Sequence, residues 1–94
     1  MKTVDLKFKK STVALAGNPY GKNIFNDQVL PKIGDVDDEI TISFPSQIQY
    51  VTSSFIQGFF DFWLRTMGYE EIKKKIVIKS ENEKVVKYIW DNVL

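Results

Sequence analysis

Three short segments of the chain have the pattern of β-strands. Residues 3–8, "TVDLKF", alternate strictly between apolar and polar, residues 39–45, "EITISFP", alternate as far as a proline, and residues 74–80, "KKIVIKS", have an apolar centre. Alternation with a period of two is typical of a strand with one buried face. A fourth, shorter strand is predicted over residues 12–16, "TVALA", just before the turn-forming residues of "GNPYG".

Apolar residues recur at three- and four-residue spacing in three other segments, which predicts helices there. The first covers residues 22–34 and is expected to stop or kink near Leu30, because the next residue is a proline. The second covers residues 53–67. The third begins after Ser80, which forms an S-x-x-E capping box with Glu83.

Two charged segments are expected to be turns. Residues 35–39, "DVDDE", lack the ligand spacing of a calcium loop, so a turn is favoured over a divalent-cation site. Residues 70–75, "EEIKKK", are expected to be a solvated turn with local charge pairing. The two glutamates weaken the alternative of a nucleic-acid-binding face.

The order β-(β)-α-β-α-β-α predicts an α/β fold. We expect a small, mostly parallel or mixed sheet of about four strands with three crossover helices, in one domain of residues 1–94. The inward-facing positions of each element predict the core. That core comprises Leu6, Phe8, Ile40, Ile42, Phe44, Ile56, Phe59, Phe60, Trp63, Ile76, Ile78, Val86, Ile89 and Trp90.

Composition excludes several function classes. The 94 residues contain neither Cys nor His, which removes the commonest nucleophiles, general bases and metal ligands. We therefore expect no enzyme activity, no metal and no cofactor. The net charge of +1 argues against nucleic-acid binding. No apolar run approaches the roughly 18 residues of a membrane span, so a cytoplasmic protein without membrane contact is expected.

Three hydroxyl side chains in a row, Thr52, Ser53 and Ser54, stand at the start of the second predicted helix. Ser54 and Gln57 form an S-x-x-Q capping box, which would account for Ser54 structurally. A second interpretation remains open, since free amides and the positive end of a helix dipole favour a phosphate group. Ser54 is then the candidate phosphoacceptor, and Ser53 is the alternative if Ser54 is the cap.

Two other features are candidate binding surfaces. Gly58, Phe62 and Arg65 recur opposite the core stripe of the second helix, so Phe62 is expected to be substantially exposed and to contact a partner or a second copy. The competing interpretation is an ordinary surface aromatic, or one covered by the loop around Tyr50.

The segment from Gly17 to Asn23, "GNPYGKN", is predicted to be a loop that leads into the first helix. Its simplest role is a tight connection, with Gly17 and Gly21 in unusual backbone conformations. The alternative is an anion-binding or nucleotide-binding loop that uses backbone amides around Gly21 together with Lys22.

The order of elements, with hydroxyls at the start of the second helix, resembles the STAS fold of bacterial anti-sigma-factor antagonists. The chain is more closely similar to small STAS-like domains of unknown function. The matching pieces are "GNPYGKNIFNDQVLPKI", "SSFIQGFF" and "IKSENEKVVKYIW", so the resemblance covers about residues 13–94.

The resemblance implies a role for the hydroxyls. In the antagonists, the second Ser of an Asp-Ser-Ser-Gly motif is phosphorylated by a partner kinase that is also the anti-sigma factor. Here Thr52 takes the Asp position, Ser53 and Ser54 the two Ser positions, and Phe55 the Gly position. Ser54 is the implied phosphoacceptor, although two of the four positions depart from the motif.

The expectation from sequence is therefore a cytoplasmic protein-interaction module whose partner is an ATPase or kinase of the anti-sigma type. The alternative is a small-ligand or nucleotide-binding domain that uses the loop from Gly17 to Asn23. The expected partner surface comprises Thr52, Ser53, Ser54, Gln57, Gly58 and Phe62.

Overall fold

Five short strands form two parallel sheets in the computed structural model, which describes residues 2–33 and 39–93. The larger sheet has the order β1–β3–β5, and the smaller sheet pairs β2 with β4. The strands are β1 (Lys2–Asp5), β2 (Ala14–Leu15), β3 (Ile40–Ser43), β4 (Tyr50–Val51) and β5 (Ile76–Lys79). The predicted α/β fold with mostly parallel strands is confirmed. Strand β4 was not predicted, and it makes a second sheet with β2.

The helices alternate with the strands along the chain. They are α1 (Asn18–Ile24), a π-helical turn (Phe25–Val29), α2 (Leu30–Ile33), α3 (Ser53–Thr66), α4 (Gly68–Lys75) and α5 (Glu83–Asp91). The first three follow one another without a break. Helix α4 replaces the predicted solvated turn at residues 70–75, because Ile72 is fully buried and anchors that segment to the core. The turn predicted at residues 35–39 lies largely outside the described residues.

The first helical run was predicted to stop or kink near Leu30, and it does not stop there. It widens into the π-helical turn instead, and the Leu30 amide donates to the carbonyl of Phe25, five residues back. A proline in a regular α-helix clashes with the carbonyl four residues before it. The wider turn before Pro31 relieves that clash, so the run continues to Ile33.

Helices α1 and α3 pack backbone to backbone. A methyl group built on Gly21 would lie 2.8 Å from the Phe59 amide nitrogen, and one built on Gly58 would lie 2.9 Å from the carbonyl carbon of Asn18. Real Cβ atoms are essentially never that close to a backbone atom of another segment. The two glycines therefore permit a helix crossing that no larger residue would allow.

An aromatic cluster fills the space beneath this crossing. Phe59, which is 1% exposed, lies within about 6 Å of the rings of Phe25, Phe55 and Phe60. Most of the predicted core is confirmed as buried. Phe8, Val86 and Trp90 are the exceptions, since they pack against the core while partly exposed.

The error at Val86 follows from the start of α5. The helix is capped by Asn82, whose side chain accepts a hydrogen bond from the Lys84 amide at 3.1 Å. The predicted Ser80–Glu83 capping box is wrong, because the Ser80 hydroxyl instead accepts from the amide of Asn82. Val85, rather than Val86, is fully buried against the core.

Among the described residues, none of the helices combines the length and the apolar character needed to cross a membrane.

Candidate functional site

The start of α3 is capped by Thr52, two residues before the predicted cap. Thr52 has extended backbone angles, and its hydroxyl accepts a hydrogen bond from the Phe55 amide at 3.3 Å. Its carbonyl accepts from the Ile56 amide at 3.1 Å. The prediction that Ser54 caps the helix and forms a box with Gln57 is therefore wrong. Thr52 is the position that the resemblance aligned with an aspartate, and both residue types are good caps.

Ser53 and Ser54 occupy the first turn of α3. Ser54 is exposed, and its hydroxyl lies 3.1 Å from the Thr52 hydroxyl. The amides of Ser53 and Ser54 donate to no acceptor among the described residues. Gln57 is exposed one turn further along. Free amides, the helix dipole and an exposed hydroxyl together give a surface that would stabilise a negative charge on Ser54.

Because Thr52 is the cap, Thr52→Ala is expected to lower the free energy of unfolding by about 1 kcal/mol. Ser54→Ala is the matched control, since it removes a hydroxyl two residues away. We expect it to change stability by no more than about 0.5 kcal/mol. Urea denaturation followed by circular dichroism measures both. If Ser54→Ala were the more costly change, the capping position assigned here would be wrong.

Two predicted members of the partner surface are placed differently. Gly58 is buried against the backbone of Asn18. Phe62 was predicted to be substantially exposed, but it is partly buried, with its ring 5.5 Å from that of Phe25. The physical reason is that α1 and the π-helical turn cover the face of α3 opposite the core stripe.

The segment from Gly17 to Asn23, predicted as a tight connection with an anion-binding loop as the alternative, forms the start of α1. Gly17 directly precedes the helix and has a φ of +99°, so its predicted unusual backbone conformation is confirmed. Gly21 has no unusual angle, is buried, and donates its amide to the Gly17 carbonyl at 3.0 Å. Lys22 lies beside a cleft of ≈ 140 Å³ with Asp61 and Arg65. The loop of amides that a nucleotide site would need is therefore not formed.

Sequence reasoning missed a groove between β4 and α5, next to Thr52. The groove has a volume of ≈ 440 Å³ and mainly apolar walls, and its lining includes Tyr50, Val51, Lys84 and Tyr88. Tyr50 is 66% exposed and Tyr88 is 44% exposed. Two exposed aromatics far apart in sequence gave no sign of proximity, because strand β4 itself was not predicted.

The groups around the start of α3 are hydroxyls, backbone amides and apolar side chains. The chain has no His or Cys, and no cluster of three or more acidic side chains occurs in residues 2–33 and 39–93. What the α3 start provides is an exposed hydroxyl, free amides and an adjacent apolar groove.

Comparison with known proteins gives one match. The family model described as a STAS-like domain of unknown function (DUF4325) matches residues 20–86, which run from within α1 to the first turn of α5. Neither a curated protein nor a solved structure shows significant similarity to the chain.

Proposed function

The chain belongs to the STAS-like domains of unknown function, and from that membership we propose that it is a non-enzymatic protein-interaction module. Its partner surface is the start of α3 with its surroundings, chiefly Thr52, Ser53, Ser54 and Gln57. The partner is an ATPase or kinase of the anti-sigma type, and Ser54 is the residue that it phosphorylates. Such a kinase needs ATP, so the proposal places the protein in the cytoplasm.

The observation that carries the proposal is that Thr52 caps α3 while Ser54 is exposed and is not the cap. Since Thr52 supplies the cap, Ser54 can be modified without removing the hydrogen bond that begins the helix. A phosphate on Ser54 would add a charge of about −1.5 to −2. The free amides of Ser53 and Ser54 would stabilise that charge. The domain would therefore stay folded while the surface at the start of α3 gains negative charge.

The departures from the antagonist motif are compatible with this role. Threonine at position 52 caps the helix as an aspartate would. Phe55, at the position of the motif's glycine, is turned into the core and meets Tyr20 edge to face at 5.6 Å. Neither change blocks access to Ser54, which remains exposed.

Site-specific photo-crosslinking in the native host tests the proposed surface. A photoreactive phenylalanine analogue at Gln57 should give a discrete crosslink to a protein with an ATP-binding kinase or ATPase domain. The same analogue at Lys32 is the control, because Lys32 is an exposed residue of α2, close to the opposite end of the larger sheet.

Identical crosslinks from both positions would mean that the start of α3 has no special role. The absence of any crosslink from Gln57 would contradict the interaction module directly.

A further inference from the structure

The groove between β4 and α5 borders an open strand edge. Just before β4, the Gln49 amide donates to the Val13 carbonyl at 2.8 Å. Strand β4 itself pairs with β2 through the amides of Tyr50 and Thr52, which donate to the carbonyls of Val13 and Leu15 at 3.3 and 2.9 Å. In a parallel ladder the residue between two such donors directs its N–H and C=O to the opposite edge. That residue is Val51, whose register partner is Leu15, while the amides on either side of it face β2.

This open edge lies along the groove. Val51 lines it from the strand, and Val85 and Tyr88 line it from the helix. The Val51 side chain is buried, at 6% exposure, so the strand is held firmly while its outer edge remains unpaired. An unpaired strand edge is a template for a further strand. An extended peptide that pairs with such an edge gains main-chain hydrogen bonds, and pockets for alternate side chains supply specificity.

The lining of the groove defines the chemistry of the occupant. Its aromatic walls, Tyr50 and Tyr88, suit an apolar side chain of an extended peptide, since aromatics are frequent anchors at interfaces. Among the described residues, Lys84 is the one charged side chain in the lining. A partner with a carboxylate near that anchor would complement its charge, and a basic partner would be repelled.

We propose that the groove binds an extended, acidic and apolar peptide segment of a protein partner, which adds a third strand to the β2–β4 sheet along the edge of Val51. The segment lies along residues 49–52 and pairs with the outward-facing backbone groups of Val51, so it spans roughly 13 Å, or about four residues. This inference rests on the proposed interaction function and names the form that the partner takes on this surface.

A phage-display selection tests which peptides the groove binds. The library holds random dodecapeptides, and the full chain is the bait. Enriched sequences should alternate apolar residues and contain Asp or Glu. The most enriched peptide, synthesised with a fluorescent label, should bind the wild type with an affinity reduced at least about tenfold by Tyr88→Ala and by Lys84→Glu. Lys32→Glu, the same change of charge on α2, should leave the affinity unchanged.

Strand pairing has its own readout. Peptides that carry a single N-methyl group, moved one residue at a time, should fail to bind when the group is at every second position, because alternate amides form the ladder. In the nuclear magnetic resonance spectrum of the bound protein, the Val51 amide should shift and exchange more slowly with solvent. Each of these results supports an added strand.

Three results of the peptide experiments would overturn the inference. They are a library that yields no binder, a binder that is indifferent to Tyr88→Ala and Lys84→Glu, and a binder that tolerates N-methylation throughout. Concentration-dependent dimerisation that Tyr88→Ala abolishes would also overturn it, because a second copy would then occupy the groove. If the crosslink at Gln57 is found while this test fails, the interaction function stands and only the groove's occupant is wrong.

Discussion

Replacing Phe59 with alanine is expected to lower the free energy of unfolding by about 3–5 kcal/mol. The Phe59 ring is buried, and it contacts Phe25 and Phe44 in addition to Trp63 and its other aromatic neighbours in α3. Removing it leaves a cavity that the backbone-to-backbone crossing of α1 and α3 cannot collapse to fill. A domain of this size has a total stability near the lower end of about 5–15 kcal/mol, so the variant should be largely unfolded.

Urea denaturation followed by far-ultraviolet circular dichroism measures this loss. Tyr88→Ala is the matched control, because it truncates an aromatic ring that is 44% exposed. Its cost should be within about 0.5 kcal/mol. A Phe59→Ala variant that unfolds at nearly the same urea concentration as the wild type would show that the aromatic cluster is not the centre of the core.

Gly58→Ala is expected to destabilise the fold by about 1–3 kcal/mol, the usual cost of forcing an extra methyl into a packed contact. The direction of the stability change is informative. In the middle of a helix, alanine alone should stabilise the fold by roughly 1 kcal/mol relative to glycine. The new methyl would meet the backbone of Asn18, which cannot move aside as a flexible side chain would.

Gln57→Ala is the control for this change, because Gln57 is the exposed neighbour of Gly58 on the same helix. It should change stability by no more than about 0.5 kcal/mol. A Gly58→Ala variant that is more stable than the wild type would mean that α1 and α3 are further apart than described here.

The fold could be predicted from sequence because its strands and helices differ in hydrophobic period. Strands β1, β3 and β5, as well as α3, fall where that period placed them. Strand β4 could not be found this way, since its two residues show no period. Strand β2 is equally short, but the turn residues that follow it marked its place. Helix α4 was missed because its charged residues hide a single buried anchor, Ile72.

The candidate site was predicted less well, and the reason is local competition between similar residues. At the start of α3, a threonine and two serines are all good caps, and only the backbone angles decide that Thr52 is the one used. The same ambiguity between Ser80 and Asn82 shifted the start of α5 by two residues. The burial of Gly58 depends on the approach of a distant helix, which no pattern within α3 reveals.

The central claim is that the start of α3 binds a protein partner and that charge on Ser54 controls the binding. Its most direct test is the affinity of the partner identified by crosslinking for the wild type, Ser54→Asp and Ser54→Ala, measured by isothermal titration calorimetry. All three forms should be equally stable within about 0.5 kcal/mol, because Thr52 is the cap in each. We expect Ser54→Asp to weaken binding at least about tenfold and Ser54→Ala to change it by less than about twofold. Equal affinity of the wild type and Ser54→Asp would contradict the account.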